Sequence, residues 1–154
     1  MSSPSTPPPA RLTCRHPHDR LIAAALARAV GRRAGLGPRA CAEVALATAE
    51  LASNAVRHGG GGEIELDVVV DAGRSGVRVI CRDAGPGIAD VESALRDGWS
   101  QGRQLGPDDP WREGLGTGLG AVKRACPDLS IESAPGRGTV VIARRFAERA
   151  RRET

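Results

Sequence analysis

Hydrophobic and polar positions divide the chain into helical and extended segments. Residues 17–34 carry apolar side chains at helical spacing, with Leu21, Ile22, Ala25, Leu26, Ala29 and Val30 on one face. Gly35 and Gly37 stop that pattern. Pro38, a favoured first-turn residue, opens a second helix running to about His58, with Gly59 as its terminator and Val44, Leu51 and Ala55 in its buried stripe. Residues 11–15 form a short first strand. Residues 63–70 alternate cleanly as a strand and residues 77–82 form another. The link from Asp71 to Gly76 has turn chemistry and predicts an antiparallel hairpin. After a long stretch rich in Gly and Pro, residues 117–126 are helical and Pro127 ends them. Residues 129–133 and 139–145 make a second hairpin around Ala134-Pro135-Gly136-Arg137-Gly138. Helices, then strands, one helix and strands again predict an α+β fold. It is a two-layer α/β sandwich, a mostly antiparallel sheet with helices on one face, and not a doubly wound parallel sheet.

Composition narrows the function classes. The 154 residues suit one domain with one core of moderate size. Residues 1–10 hold no apolar run and read as a disordered Pro/Ser leader, not a signal peptide. No stretch approaches the ~18 apolar residues of a membrane span. Lys plus Arg is 22 and Asp plus Glu is 18, so the net charge of +4 requires neither a nucleic-acid nor a membrane partner. All but one of the basic residues are Arg, a compositional bias and not a functional signal. The five Arg between Arg144 and Arg152 read as a solvated helix end, and residues 147–154 as a basic C-terminal tail. Trp99, Trp111 and Phe146 are too few aromatics for a base-stacking platform. Cys14, Cys41, Cys81 and Cys126 form no CxxC pair and read as reduced structural thiols in a cytoplasmic protein. Cys14, His16 and His18 alternate like metal ligands, but a fourth ligand is missing, and a strand end before a helix start at Pro17 accounts for them.

Gly is 20 of 154 residues, nearly twice the usual share of about 7%, and it is clustered. Asp83-Ala84-Gly85-Pro86-Gly87 follows a strand, where glycines let the backbone turn sharply and approach a ligand. Gly114-Leu115-Gly116-Thr117-Gly118-Leu119-Gly120 opens a helix, where free amides suit an anion. It is neither a P-loop nor a dinucleotide fingerprint, lacking both Gly-Lys-Ser/Thr and a preceding strand. Glu50, Asn54 and His58 fall four residues apart in one stripe of the second helix, which by itself reads as its wet face or as a site.

The order of these clusters carries more than any of them alone. Glu-x-x-x-Asn on a helix, Asp-x-Gly-x-Gly after a strand, a Gly-rich helix start and Gly136-Arg137-Gly138-Thr139 before the last strand resemble the GHKL (Bergerat) ATP-binding superfamily. The resemblance covers residues 11–146. With no phosphoacceptor-histidine helix pair before it, the chain is similar to the anti-sigma regulatory kinases, and within them to the RsbT-type switch kinases. Ala49-Glu50-Leu51-Ala52-Ser53-Asn54, Asp83 to Ile88, Asp97-Gly98-Trp99-Ser100 and Gly114 to Leu119 with Val122-Lys123-Arg124 fit that branch. Two features depart from it: Gly120 stands where the pattern usually has Pro, and His58 is more typical of the anti-sigma-factor branch.

The resemblance implies an ATP- and Mg²⁺-dependent serine/threonine kinase that phosphorylates a STAS-domain anti-sigma antagonist. A regulatory phosphatase or a sigma factor is the implied second partner, and a homodimer is an open assembly. It implies Glu50 as general base and Asn54 as the Mg²⁺ ligand. Asp83 accepts from the adenine amine, aided by Thr139 and by the turns at Gly85 and Gly87. Phosphates fall to the amides of Gly116, Gly118 and Gly120 within the loop Gly114, Gly116, Thr117, Gly118, Leu119, Gly120, with His58 nearby. Residues 101–112 are a lid longer than usual, from which Arg103 or Arg112 could neutralise phosphate charge, while Lys123 reads as surface. A non-catalytic nucleotide-binding anti-sigma factor is the alternative.

Overall fold

The computed structural model describes residues 7–95, 99–100, 103–104 and 118–148. The elements are β1 (Ala10–Cys14), α1 (Asp19–Arg33), α2 (Pro38–Gly59), β2 (Gly62–Asp71), β3 (Arg74–Asp83), α3 (Val91–Ala94), β4 (Trp99–Ser100), β5 (Arg103–Gln104), α4 (Leu119–Ala125), β6 (Asp128–Ser133) and β7 (Thr139–Phe146). Strands β1-β2-β3-β7-β6 make one sheet, antiparallel at every pairing. The predicted α+β sandwich is therefore correct. Neither α3 nor the small β4–β5 ladder was expected from the sequence. Ala10, assigned to the leader, is the first residue of β1.

The first hairpin is tighter than its turn chemistry suggested. Asp71 pairs with Arg74 across a two-residue turn, and Ala72 (φ 49°) and Gly73 (φ 76°) both take the positive φ that matches strand twist. Gly76 belongs to β3, not to the turn. It pairs with Phe146, and a Cβ there would lie 2.5 Å from the Arg145 carbonyl oxygen.

Helix α1 corrects the predicted face. Val30 is buried as predicted, but Leu21 is 63% and Ile22 51% exposed, and Ala23, Ala27 and Gly31 take buried positions instead. Periodicity favours the face with the larger apolar side chains. Packing instead favours the small ones, because α1 lies so close to α2 that a Cβ on Gly31 would meet Cys41 Sγ at 3.0 Å. In α2, Val44, Leu51 and Ala55 are buried as expected. Its terminator is Gly60 in the left-handed conformation (φ 72°), one residue later than predicted.

One sheet face carries Cys14, Ile64, Leu66, Val77, Val79, Cys81, Val141 and Ala143 into a core covered by the helices. The other carries cross-strand charge pairs, with Arg78 Nη2 2.7 Å from Asp67 Oδ2, Arg144 Nη2 3.0 Å from Asp128 Oδ2, and Arg82 Nη1 3.5 Å from Glu65 Oε2. That lattice keeps the uncovered face solvated. All four cysteines are free and buried, and burial pushes the Cys81 and Cys126 thiols up to about 12, so they stay protonated and inert.

A half-buried ion pair ties the layers together: Arg145 Nη2 on β7 lies 2.8 Å from Glu43 Oε2 on α2. Arg39 also reaches Glu43, at 3.1 Å, but is largely exposed. Glu43→Ala strands the enclosed Arg145 guanidinium and should cost about 1–3 kcal/mol, seen as a few degrees in thermal unfolding. Arg39→Ala should cost no more than about 0.5 kcal/mol.

Candidate functional site

Strand parity decides what the sheet presents at its end. Asp83 closes β3 on the same face as Cys81 and Val79, and its Cα partner is Thr139, the first residue of β7. The two side chains therefore stand side by side. Helix α2 crosses above them and places Asn54 and His58 opposite. Between lies a cavity of about 730 Å³, lined by Asn54, His58, Asp83, Ile88, Thr139 and Val141 among others. That is the size and the mainly apolar character of a site for a small organic ligand. Thr139 is itself buried, at 8% exposed.

Close approach of backbones builds the Asp83 corner. Asp83 Oδ1 accepts from the Gly85 amide at 2.9 Å, which locks the carboxylate over its own turn. Gly85 lies against the last turn of α2: a Cβ there would come 2.5 Å from Gly59 Cα and 2.8 Å from the His58 carbonyl oxygen. A Cβ on Gly59 would in turn lie 2.6 Å from both Cβ and Cγ of Asp83. Along the sequence, Gly59 has only the task of ending a helix. Its proximity to the site is a property of packing, and the one signal for it was a Gly directly after the His58 stripe.

The Asp83–Ile88 loop is clamped from the other side by the 134–138 turn. Gly87 holds φ 79°, and a Cβ there would overlap the Ala134 carbonyl. The Gly136 amide donates to the Pro86 carbonyl at 2.7 Å. Ser133, which the sequence marked only as strand, sits at the centre of the clamp. Its Oγ accepts from the Ile88 amide at 2.8 Å, lies 2.9 Å from the Gly138 carbonyl oxygen and contacts Thr139 Oγ1 at 2.8 Å.

The remaining candidates divide by place. Gly118, the N-cap of α4, and Leu119 line the cavity. Gly120 is buried in the first turn of α4, off the described lining. Gly85 is also off the lining and acts by packing. The Glu50, Asn54, His58 stripe is not uniformly wet: His58 is exposed, but Glu50 is only 4% exposed. It lies one helical turn before Asn54 and is not on the described lining. Gly114, Gly116, Thr117, Asp97, Gly98 and Arg112 lie outside the described residues, and of Arg103 only the β5 backbone is described. Partial burial, and then Arg57 beside it, hold the His58 imidazole below its ordinary pKa, with Asp83 pulling the other way. His58 therefore faces the cavity neutral near pH 7, as a hydrogen-bonding group and not a cation.

A Gly-bracketed Asp paired with a Thr at a sheet end, facing an Asn on a long helix, is the arrangement the sequence motifs implied. The histidine kinase-like ATPase domain family matches residues 16–145. The chain belongs to that family. Among its relatives is the serine/threonine-protein kinase RsbT of Bacillus subtilis (strain 168), 35% identical over 125 residues that cover 81% of this chain and 86% of RsbT. The chain is thus an RsbT-type member of the histidine kinase-like ATPases. In fold it is similar to the crystal structure of the RsbU and RsbW domains of Rv1364c from Mycobacterium tuberculosis, with a TM-score of 0.59 at 19% identity. That match covers 96% of this chain and 35% of the larger one. Membership in an ATPase family implies that the chain binds a nucleotide. No helix among the described residues is long and apolar enough to cross a membrane.

Proposed function

We propose that the chain is an ATP- and Mg²⁺-dependent serine/threonine kinase of a bacterial anti-sigma partner switch, acting in the cytoplasm on a STAS-type antagonist protein. The observation that carries this reading is Asp83 standing beside Thr139 across the cavity from Asn54, in a chain 35% identical to RsbT. Asp83 accepts a hydrogen bond from the adenine amine. Guanine presents a carbonyl there, and acceptor facing acceptor in a buried site costs ~1–3 kcal/mol. Asn54 offers an amide oxygen, a hard donor of the kind Mg²⁺ takes while keeping most of its waters. Bound Mg²⁺-ATP supplies the phosphoryl group. Glu50 takes the proton of the attacking serine or threonine hydroxyl. A new phosphate adds about −1.5 to −2 charge to the antagonist surface, enough to part it from the kinase and leave that kinase for a phosphatase or a sigma factor.

A non-catalytic nucleotide-binding switch is favoured by one observation, the burial of Glu50 away from the described lining. Phosphotransfer from ATP to candidate antagonists separates the two readings. Nucleotide binding is tested first by thermal unfolding with ADP and Mg²⁺. At 100 times its Kd the ligand should add ~2.7 kcal/mol, a shift of a few degrees. Asp83→Asn should lose that shift, because an amide can turn its N–H₂ toward the adenine amine. An equal shift in both proteins would remove Asp83 from the site.

A further inference from the structure

We infer that Ser133 sets the direction of the Thr139 hydroxyl and so makes the end of the sheet a wall of two acceptors that selects a 6-amino purine. The inference rests on the nucleotide reading above and names a residue which that reading does not use. A serine hydroxyl has one proton and two lone pairs. One lone pair of Ser133 Oγ is taken by the Ile88 amide, which can only donate, at 2.8 Å. The single proton goes to the Gly138 carbonyl, which can only accept, at 2.9 Å. Only a lone pair is left for Thr139, whose Oγ1 lies 2.8 Å away. Thr139 must therefore give its proton to Ser133, and it keeps only acceptor lone pairs for the cavity it lines.

Asp83, the Cα partner of Thr139, is a second acceptor in the same row of the sheet. Two adjacent acceptors suit an exocyclic amine with its two N–H groups. A 6-carbonyl meets a lone pair at both positions. Without Ser133 the Thr139 hydroxyl can rotate and offer its proton to that carbonyl, so base selection weakens although Thr139 itself is unchanged. Ser133 is thus a positioning residue acting through Thr139.

The test is a double-mutant cycle read as the ratio of affinities for ADP and inosine diphosphate, which differ at the 6-position. Titrations on the full chain compare wild type, Ser133→Ala, Thr139→Val and the double variant. Wild type should prefer ADP, and Ser133→Ala should reduce the preference by about tenfold, the worth of one buried hydrogen bond reversed. In the Thr139→Val background, Ser133→Ala should leave the ratio unchanged. A purely structural serine gives another pattern: both affinities fall by one factor, or the ratio falls equally in both backgrounds, and either result overturns the proposal. If Ser133→Ala does not fold, the nearly isosteric Thr139→Val carries the test, since an unchanged ratio there overturns the acceptor wall. Wild type binding ADP without preference over inosine diphosphate overturns this inference alone. Wild type binding neither overturns the nucleotide reading with it.

Discussion

Glu50→Gln should lower phosphotransfer to the protein substrate by about 10²–10⁴-fold, the usual worth of a general base, with ADP binding unchanged. Gln keeps the volume and the hydrogen-bonding reach of Glu but cannot take a proton at neutral pH. The buried setting of Glu50, 4% exposed on α2, makes the isosteric change preferable to Ala, which would leave a hole at a buried helix position. Two measurements decide it. Single-turnover transfer of the terminal phosphate from ATP reports the chemistry, and an ADP titration reports the site. A rate within a factor of two of wild type would remove Glu50 as the base. Loss of ADP binding in step with the rate would make it a structural residue of α2.

Gly59→Ala should weaken ADP binding by about tenfold or more and lower the unfolding temperature, against the expectation from helix propensity. Ala in a helix interior is favoured over Gly by about 1 kcal/mol, and Gly59 is the last residue of α2. Tertiary packing reverses that sign. The added methyl would sit 2.6 Å from Cβ and Cγ of Asp83 and 2.8 Å from Oδ1. The carboxylate has little room to retreat, because Oδ1 is held by the Gly85 amide, and Gly85 itself abuts Gly59. Overpacking of this kind costs about 1–3 kcal/mol, part of it in stability and part in the displacement of Asp83 from its ligand. Gly60→Ala is the control. Gly60 holds φ 72°, so Ala is strained there, but a Cβ at Gly60 meets nothing within 4 Å. It should lower stability by about 1 kcal/mol without changing ADP affinity. Equal affinity in wild type and Gly59→Ala would show that Asp83 tolerates the displacement.

Elements governed by local rules were legible at once. The long β2 and β3 alternate, α2 begins at a proline, and β6 and β7 flank a Gly-Pro turn. The errors fell where a neighbour decides. Leu21 and Ile22 read as core, yet Ala23 and Ala27 take buried positions instead, since close helix contact selects small side chains and not large ones. Gly76 read as turn, yet it is strand, since Phe146 lies across from it. Asn54, Asp83 and Thr139 were singled out by motif order and His58 by its place in the helix stripe, and all four line one cavity. Ser133 and the packing task of Gly59 were not found. A serine in a strand and a glycine at a helix end have common local explanations, and their significance comes from what lies across from them.

The sequence alone determined the class and order of every element except the short α3, β4 and β5, and it determined the family, because periodicity, turn residues and motif order are all local along the chain. Tertiary structure decided which face of α1 is buried and which strand lies beside β3. It also decided which donors and acceptors meet. The pairing of Asp83 with Thr139 joins residues 56 positions apart in the chain, and no local pattern encodes it. Placing β7 between β3 and β6 does so, and with it come the three-way hydrogen bonding of Ser133 and the glycine contact that holds Asp83.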